Sequence, residues 1–261
     1  MKAHPRVTLS ALSMALPGYL LLLLPLTVLV WRSFLVKDFA TGQVEWSLAW
    51  YQKLLGNPEL GAALVSSFWI ACVSSLISTL LGTIAALGLA KSQHFFGKGI
   101  IESLIRVPLA LPEIVMGLSL LIWFVFLSLT LGTFSVILAH VTFSVSYVVL
   151  TVRARMEGFD RSLEDAARDL GATRFQVFLR ITMPLILPAV ISGALMAFTL
   201  SFDDFLITYF VSGVGTDTLP LRVYSMIRFG VSPELNALST VLLVLTTAIA
   251  GYGLRKTIKS P

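Results

Sequence analysis

The sequence predicts an all-α membrane protein with six transmembrane helices. Of its 261 residues, 56% are hydrophobic and only 13% charged, with a mean hydropathy of +0.88, whereas a soluble domain carries about 25% charged residues. Apolar stretches recur at 12–31, 62–90, 107–128, 133–152, 185–209 and 235–254, each near the ~20 residues that a helical span needs. Lys and Arg gather in alternate loops. Little chain is left over, so residues 1–261 read as one transmembrane domain with no separate soluble catalytic part.

The first span holds the unbroken run Leu20 to Leu24 between Pro17 and Pro25. Lys2 and Arg6 ahead of it mimic a signal peptide, but the apolar stretch is long and no small-residue cleavage site follows, so it reads as a retained signal-anchor helix. The second span contains Cys72, the single cysteine, which excludes an intrachain disulfide and a thiolate cluster. The third begins with Pro108, Pro112 and Glu113, the fourth runs over 133–152, the fifth follows Pro184 and carries Asp203 and Asp204 near its far end, and the sixth closes the chain.

Six spans put both termini on one side. Fourteen of the 19 basic residues fall on that side: Lys2 and Arg6, then Lys91, Lys98 and Arg106, then six arginines of the fourth loop, then Arg255, Lys256 and Lys259. The positive-inside rule makes that face cytoplasmic. Topology thus accounts for the net charge of +5, and nucleic acid is not a partner. No phosphate-binding Gly-x4-Gly-Lys-Ser/Thr loop and no His-Glu-x-x-His is present. His4, His94 and His140 lie far apart in sequence. The chain is expected to bind no cofactor or metal and to be no enzyme.

The fourth loop, 153–184, is too long and too ordered in pattern for a connector, since helix–helix connections in bundles run about 2–8 residues. Ser162 followed by Glu164 and Asp165 suits a helix start, where carboxylates meet the positive end of the dipole. Ala166 and Ala167 are small, and Gly171 is a natural stop. Phe175, Phe178 and Leu179 then form the apolar stripe of a second short helix, which Pro184 closes before the fifth span.

The stretch Asp165-Ala166-Ala167-x3-Gly171-x9-Ile181-x-Met183-Pro184 resembles the EAA loop of bacterial ABC-importer permeases, with Asp165 in place of the usual Glu and Met183 in place of Leu. The resemblance implies the type I permease fold and a location in the bacterial inner membrane. It also implies that the loop is a coupling helix seated on a partner ATPase dimer, which hydrolyses the ATP. Asp165, Ala166, Ala167 and Gly171 take the docking role, with Arg168 and Asp169 at the rim. A second permease chain, completing a heterodimer, and a periplasmic binding protein are the further partners implied.

Ionisable residues within apolar spans are functional candidates by default. Glu113 falls roughly 10 Å along a third helix at about 1.5 Å per residue, and Asp203 and Asp204 roughly 27–30 Å along the fifth, towards the external side. All three are acidic, and Phe202, Phe205 and Tyr209 lie close in sequence to the aspartates. Carboxylates among aromatic faces suit an amine. The run from Ser201-Phe202-Asp203-Asp204 through Thr218-Leu219-Pro220-Leu221-Arg222-Val223-Tyr224-Ser225 to Arg228 and Gly230-Val231-Ser232-Pro233-Glu234 is similar to the second permease of spermidine/putrescine importers, which implies a periplasmic polyamine-binding protein as donor. Leu221, Tyr224, Ser225 and Arg228 share one face of an external helix that Gly230 and Pro233 break. Tyr224 and Arg228 are the candidate gate. Two other readings stand beside this one: a permease for another cationic or organic solute, and a gradient-driven carrier with Glu113 as coupling acid, against which the charged loop and the lack of an inverted repeat both argue.

Overall fold

The computed structural model describes residues 5–37, 43–91, 96–160, 162–228 and 233–259, with side chains from 16 to 248. Lys2, His4, His94, Arg161 and the Gly230 break lie outside the described residues, as do the side chains of Arg6 and of the basic tail. The chain forms two compact units.

The first unit, 1–61 with 223–261, joins both ends of the sequence. Helix α1 (Pro5–Ser33) packs against α12 (Pro233–Lys259). Leu21 and Leu22 of its apolar run are 75% and 67% exposed, as suits a surface whose solvent is lipid rather than water. After α1 come strands β1 (Leu35–Lys37) and β2 (Val44–Trp46), paired antiparallel with Leu35 opposite Trp46, and then α2 (Ala49–Leu55). The hairpin is held by rings: Trp46 meets Trp31 edge-on at 4.7 Å between centroids and stacks on Phe34 at 6.1 Å. Glu234, in the first turn of α12, is buried and binds Lys53 at 3.2 Å and the Asn57 amide at 3.0 Å.

The second unit, 62–222, continues α3 (Pro58–Lys91) and contains α4 (Lys98–Ala110), α5 (Glu113–Phe126), α6 (Thr133–Glu157), α7 (Ser162–Asp169), α8 (Arg174–Val177), α9 (Met183–Asp203), α10 (Leu206–Val211) and the start of α11 (Leu219–Arg228). Helix α6 is its centre. Val148 is fully buried because Gly82 of α3 and Gly193 of α9 both turn their bare backbone towards it; a Cβ on Gly82 would lie 2.7 Å from the valine Cβ. Gly117 likewise lets α5 close on Phe210 of α10, where an added Cβ would lie 2.8 Å from the ring.

Among the described residues, four helices are long and apolar enough to cross a membrane: Leu16–Ser33, Pro58–Lys91, Thr133–Glu157 and Arg174–Asp203. Pro233–Ala248 is a shorter apolar helix. The third expected span, 107–128, is not one helix. It is the pair α4 and α5, bent by 114°. Leu111 and Pro112 are extended, with ψ of 136° and 134°, because proline drives the preceding residue out of the helical region. The fifth expected span, 185–209, also differs. Its helix stops at Asp203 and restarts at Leu206, where the Asp204 side chain takes over the amide hydrogen bonds that a continuous helix would supply.

At the turn before α6, a Cβ on Gly213 would sit 1.9 Å from the carbonyl oxygen of Leu131. Neither backbone can yield cheaply. Gly213→Ala is therefore expected to cost about 3 kcal/mol or more, beyond ordinary overpacking, and thermal unfolding of the purified protein should show the loss.

Candidate functional site

A cavity of ≈ 370 Å³ opens where the α4–α5 bend faces the end of α9, and Glu113, Asp203, Asp204, Phe205, Leu111 and Tyr147 are in its wall. Glu113 is the first residue of α5, so its carboxylate stands at the positive end of that helix. The bend, rather than depth along a straight helix, brings it to the aspartates. Among the described residues the wall holds three carboxylates and no Lys or Arg.

The two aspartates differ. Asp203 ends α9 with an exposed side chain and makes no hydrogen bond or ion pair among the described residues. Asp204 is extended, with its side chain only 5% exposed. Its Oδ2 accepts the Thr208 N–H at 2.7 Å and the Thr208 hydroxyl at 2.7 Å, and lies 3.2 Å from Nε2 of His140. The buried imidazole places Nδ1 2.7 Å from the Ser201 hydroxyl, which is 3.2 Å from that of Ser74. His140, Ser201, Ser74 and Thr208 were not among the residues expected in the site. The signal for His140 was present, since it is an ionisable residue in an apolar span.

The aromatics divide in the same way. Phe205 lines the cavity, and its ring meets Tyr209 at 5.7 Å. Tyr209 packs edge-on against Phe210. Phe202 stacks on Phe198 at 5.8 Å, outside the cavity wall.

The charged segment between α6 and α9 forms a second site. Asp160 accepts the Ser162 N–H at 3.0 Å at the start of α7, and the Ser162 hydroxyl and amide hold its carboxyl below the usual range. Asp165, Ala166 and Asp169 are exposed and Ala167 is half-buried; Arg168 binds Asp165 at 2.9 Å. Gly171, at φ +84°, ends the helix: its N–H bonds to Arg168 and that of Ala172 to Ala167. This paired closure needs the left-handed conformation that glycine adopts without strain. Thr173 and Gln176 then cap α8 reciprocally, at 3.3 and 2.8 Å.

Two local expectations change here. Pro184 does not close the second helix. A π-helical turn, Phe178–Thr182, carries α8 into α9, and Pro184 sits in the first turn of α9, where its missing N–H is tolerated. The stripe of Phe175 and Leu179 faces outward, at 70% and 54% exposed, while Val177 and Thr182 are buried. Leu163 and Leu170 are exposed as well.

Glu164, also not expected in the site, anchors this segment. It is buried, accepts the Thr182 hydroxyl at 2.5 Å, and lies 3.3 Å from the Lys91 ammonium and 3.4 Å from the Arg168 guanidinium. Burial opposes its ionisation, but Thr182, Lys91 and Arg168 outweigh it and hold the carboxyl below its ordinary value.

Tyr224 and Arg228 lie on α11 and are exposed. The helix is secured at its start, where the Leu219 N–H donates to the Ser67 hydroxyl at 2.8 Å.

Residues 78–258 match the family of binding-protein-dependent transport system inner membrane components. The putrescine transport system permease protein PotI of Escherichia coli K12 is 43% identical over 232 residues, covering 87% of this chain and 83% of that protein. The spermidine/putrescine transport system permease protein PotC of the same strain is 40% identical over 228 residues, covering 87% and 86%. The fold is that of a chain in the crystal structure of a bacterial ABC transporter involved in the import of the acidic polysaccharide alginate, at a TM-score of 0.71 and 15% identity, covering 100% of this chain and 99% of that one.

Proposed function

Because the chain belongs to the family of binding-protein-dependent transport system inner membrane components, we propose that it is the permease subunit of an ATP-driven polyamine importer, forming half of the translocation pathway. It is a multi-pass membrane transport protein and not an enzyme. The observation that carries the polyamine reading is the cavity wall of Glu113, Asp203 and Asp204 with Phe205 and, among the described residues, no basic side chain, which favours a solute with ammonium groups. The names of the putrescine and spermidine/putrescine relatives support the same solute class. Tyr209, packed on Phe205, supports that wall, whereas Phe202 stacks on Phe198 away from it.

In this reading the chain lies in the inner membrane with both termini cytoplasmic and pairs with a second permease subunit. It binds no cofactor itself. An ATPase dimer docks on the exposed face of α7, against Asp165, Ala166, Ala167, Arg168, Asp169 and the Gly171 turn. Exposed Leu163, Leu170 and Phe175 supply apolar surface for that contact. A periplasmic polyamine-binding protein delivers the solute, and α11 with Tyr224 and Arg228 gates its entry. ATP-driven movement of α7 passes through Glu164 to α3 and α9.

The test is uptake of labelled putrescine and spermidine in cells lacking this chain, with and without its restoration, and with cationic amino acids as controls. Uptake of the polyamines alone should disappear and return. Unchanged polyamine uptake would refute the solute class.

A further inference from the structure

The adjacent aspartates at the end of α9 have unlike surroundings, and the difference assigns them different work. We propose that Asp204 is a positioning residue: locked to His140 and Thr208, it fixes the break between α9 and α10 so that Asp203 presents the carboxylate met by a substrate ammonium group. This rests on the reading of the cavity as a path for a cation.

Hydrogen-bond accounting carries the assignment. Three donors converge on Oδ2 of Asp204, and its Oδ1 faces the Ile207 N–H at 3.4 Å. The carboxylate thereby satisfies amides at the start of α10, groups that otherwise have no partner in the helix. An ammonium group that took this carboxylate would leave those buried donors unmet, at a cost of about 1–3 kcal/mol each. Asp203 carries no such commitment, and its exposed carboxylate lines the same cavity.

His140 is what holds Asp204 in place. Its ring is 1% exposed and is not part of the cavity wall, so it acts through Asp204 and not on the solute. Ser74 gives its proton to the Ile70 carbonyl. Ser201 has one proton, which goes either to Ser74 or to Nδ1 of the ring. Only when it goes to Nδ1 does the neutral ring keep its single N–H at Nε2 for Asp204; in that arrangement the imidazole is gripped from both sides, and one ring ties together α3, α6, α9 and α10. Such buried networks are rigid when fully satisfied and fail as a unit.

Cys72 is the only cysteine, so a Cys72→Ser background gives a clean reporter. Asp203→Cys in that background, within the complete transporter in membranes, should react with a cationic methanethiosulfonate reagent, and putrescine should slow the reaction. Adding His140→Ala or Asp204→Asn should change the reaction rate by about tenfold, because thiol reactivity follows local access and field, and should abolish putrescine protection. His140→Gln, which keeps a donor near Nε2, should preserve both. In uptake assays Asp203→Asn should lose transport, and His140→Ala with Asp204→Asn together should be no worse than the poorer single variant.

A reaction rate indifferent to both His140→Ala and Asp204→Asn would overturn the proposal, as would wild-type transport by Asp203→Asn. Should Asp204→Asn not assemble, the His140 pair of variants decides alone. A rate that depends on His140, without any protection by putrescine, would leave the latch standing and remove the polyamine.

Discussion

Glu113→Gln combined with Asp203→Asn should reduce putrescine uptake to background. These two carboxylates are exposed in the cavity wall, and among the described residues no Lys or Arg in that wall compensates for them. At an effective dielectric constant of about 20, one charge pair about 4 Å apart is worth about 4 kcal/mol. Even half of that per carboxylate is more than tenfold in binding at the midpoint of transport. Each single variant should fall between wild type and the double variant, and Glu113→Asp with Asp203→Glu should keep part of the activity. The measurement is initial uptake rate, normalised to the amount of chain in the membrane and to co-purified ATPase. Normal uptake by the double variant, properly assembled, would rule out an electrostatic role for the cavity.

Glu164→Ala should uncouple ATP hydrolysis from transport, with uptake falling about tenfold or more while the ATPase remains associated. In the proposed docking the ATPase meets exposed Asp165, Ala166 and Asp169, and buried Glu164 touches that face only through Arg168, so ATPase binding should largely persist. Two contributions compete in setting the damage. Lys91 and Arg168 are 47% and 46% exposed, so water can replace the lost carboxylate and their share is small, as for other exposed pairs. Thr182 is fully buried, and its hydroxyl loses its acceptor at a cost of about 1–3 kcal/mol. The Thr182 bond therefore dominates, and Glu164→Gln, which can still accept it, should retain most coupling. Simultaneous measurement of ATPase rate and uptake in proteoliposomes gives the ratio directly.

The same carboxylate has a pH signature. Its value in the folded protein is lowered, so its contribution to stability is fully present above its ordinary value of 4.5 and is lost as the pH falls through the folded value. Amides of 162–169 should therefore keep their protection, relative to intrinsic exchange at the same pH, through neutral and mildly acidic pH and lose it only below the ordinary carboxylate range. Glu164→Gln should abolish that acid step.

The amount legible in the sequence differed between the two sites. For the segment around α7, the Ser162 start and the Gly171 stop express local rules of helix capping and read within a few residues, whereas the spacing to Met183-Pro184 read only as a family resemblance. Glu164 was missed because its partners, Lys91 and Thr182, lie on other elements. The cavity was half legible. Its acids stood out because charge in an apolar span is costly, whereas His140 entered only as a histidine far from the other two, since its contact with Asp204 spans 64 positions.

By itself the sequence determined that this chain lives in a bilayer, where its apolar helical stretches fall though not the breaks inside the third and fifth, and the Ser162 start and Gly171 stop of its charged segment. These follow from composition and from short-range hydrogen bonding, and a chain carries both without folding. Tertiary structure alone decided the 114° bend that carries Glu113 to the aspartates, and the division between a free Asp203 and a bound Asp204. Those depend on which buried donors find which acceptors once the helices pack. Only close contact across the helices, made possible at Val148 by two glycines that lack side chains, sets that pairing.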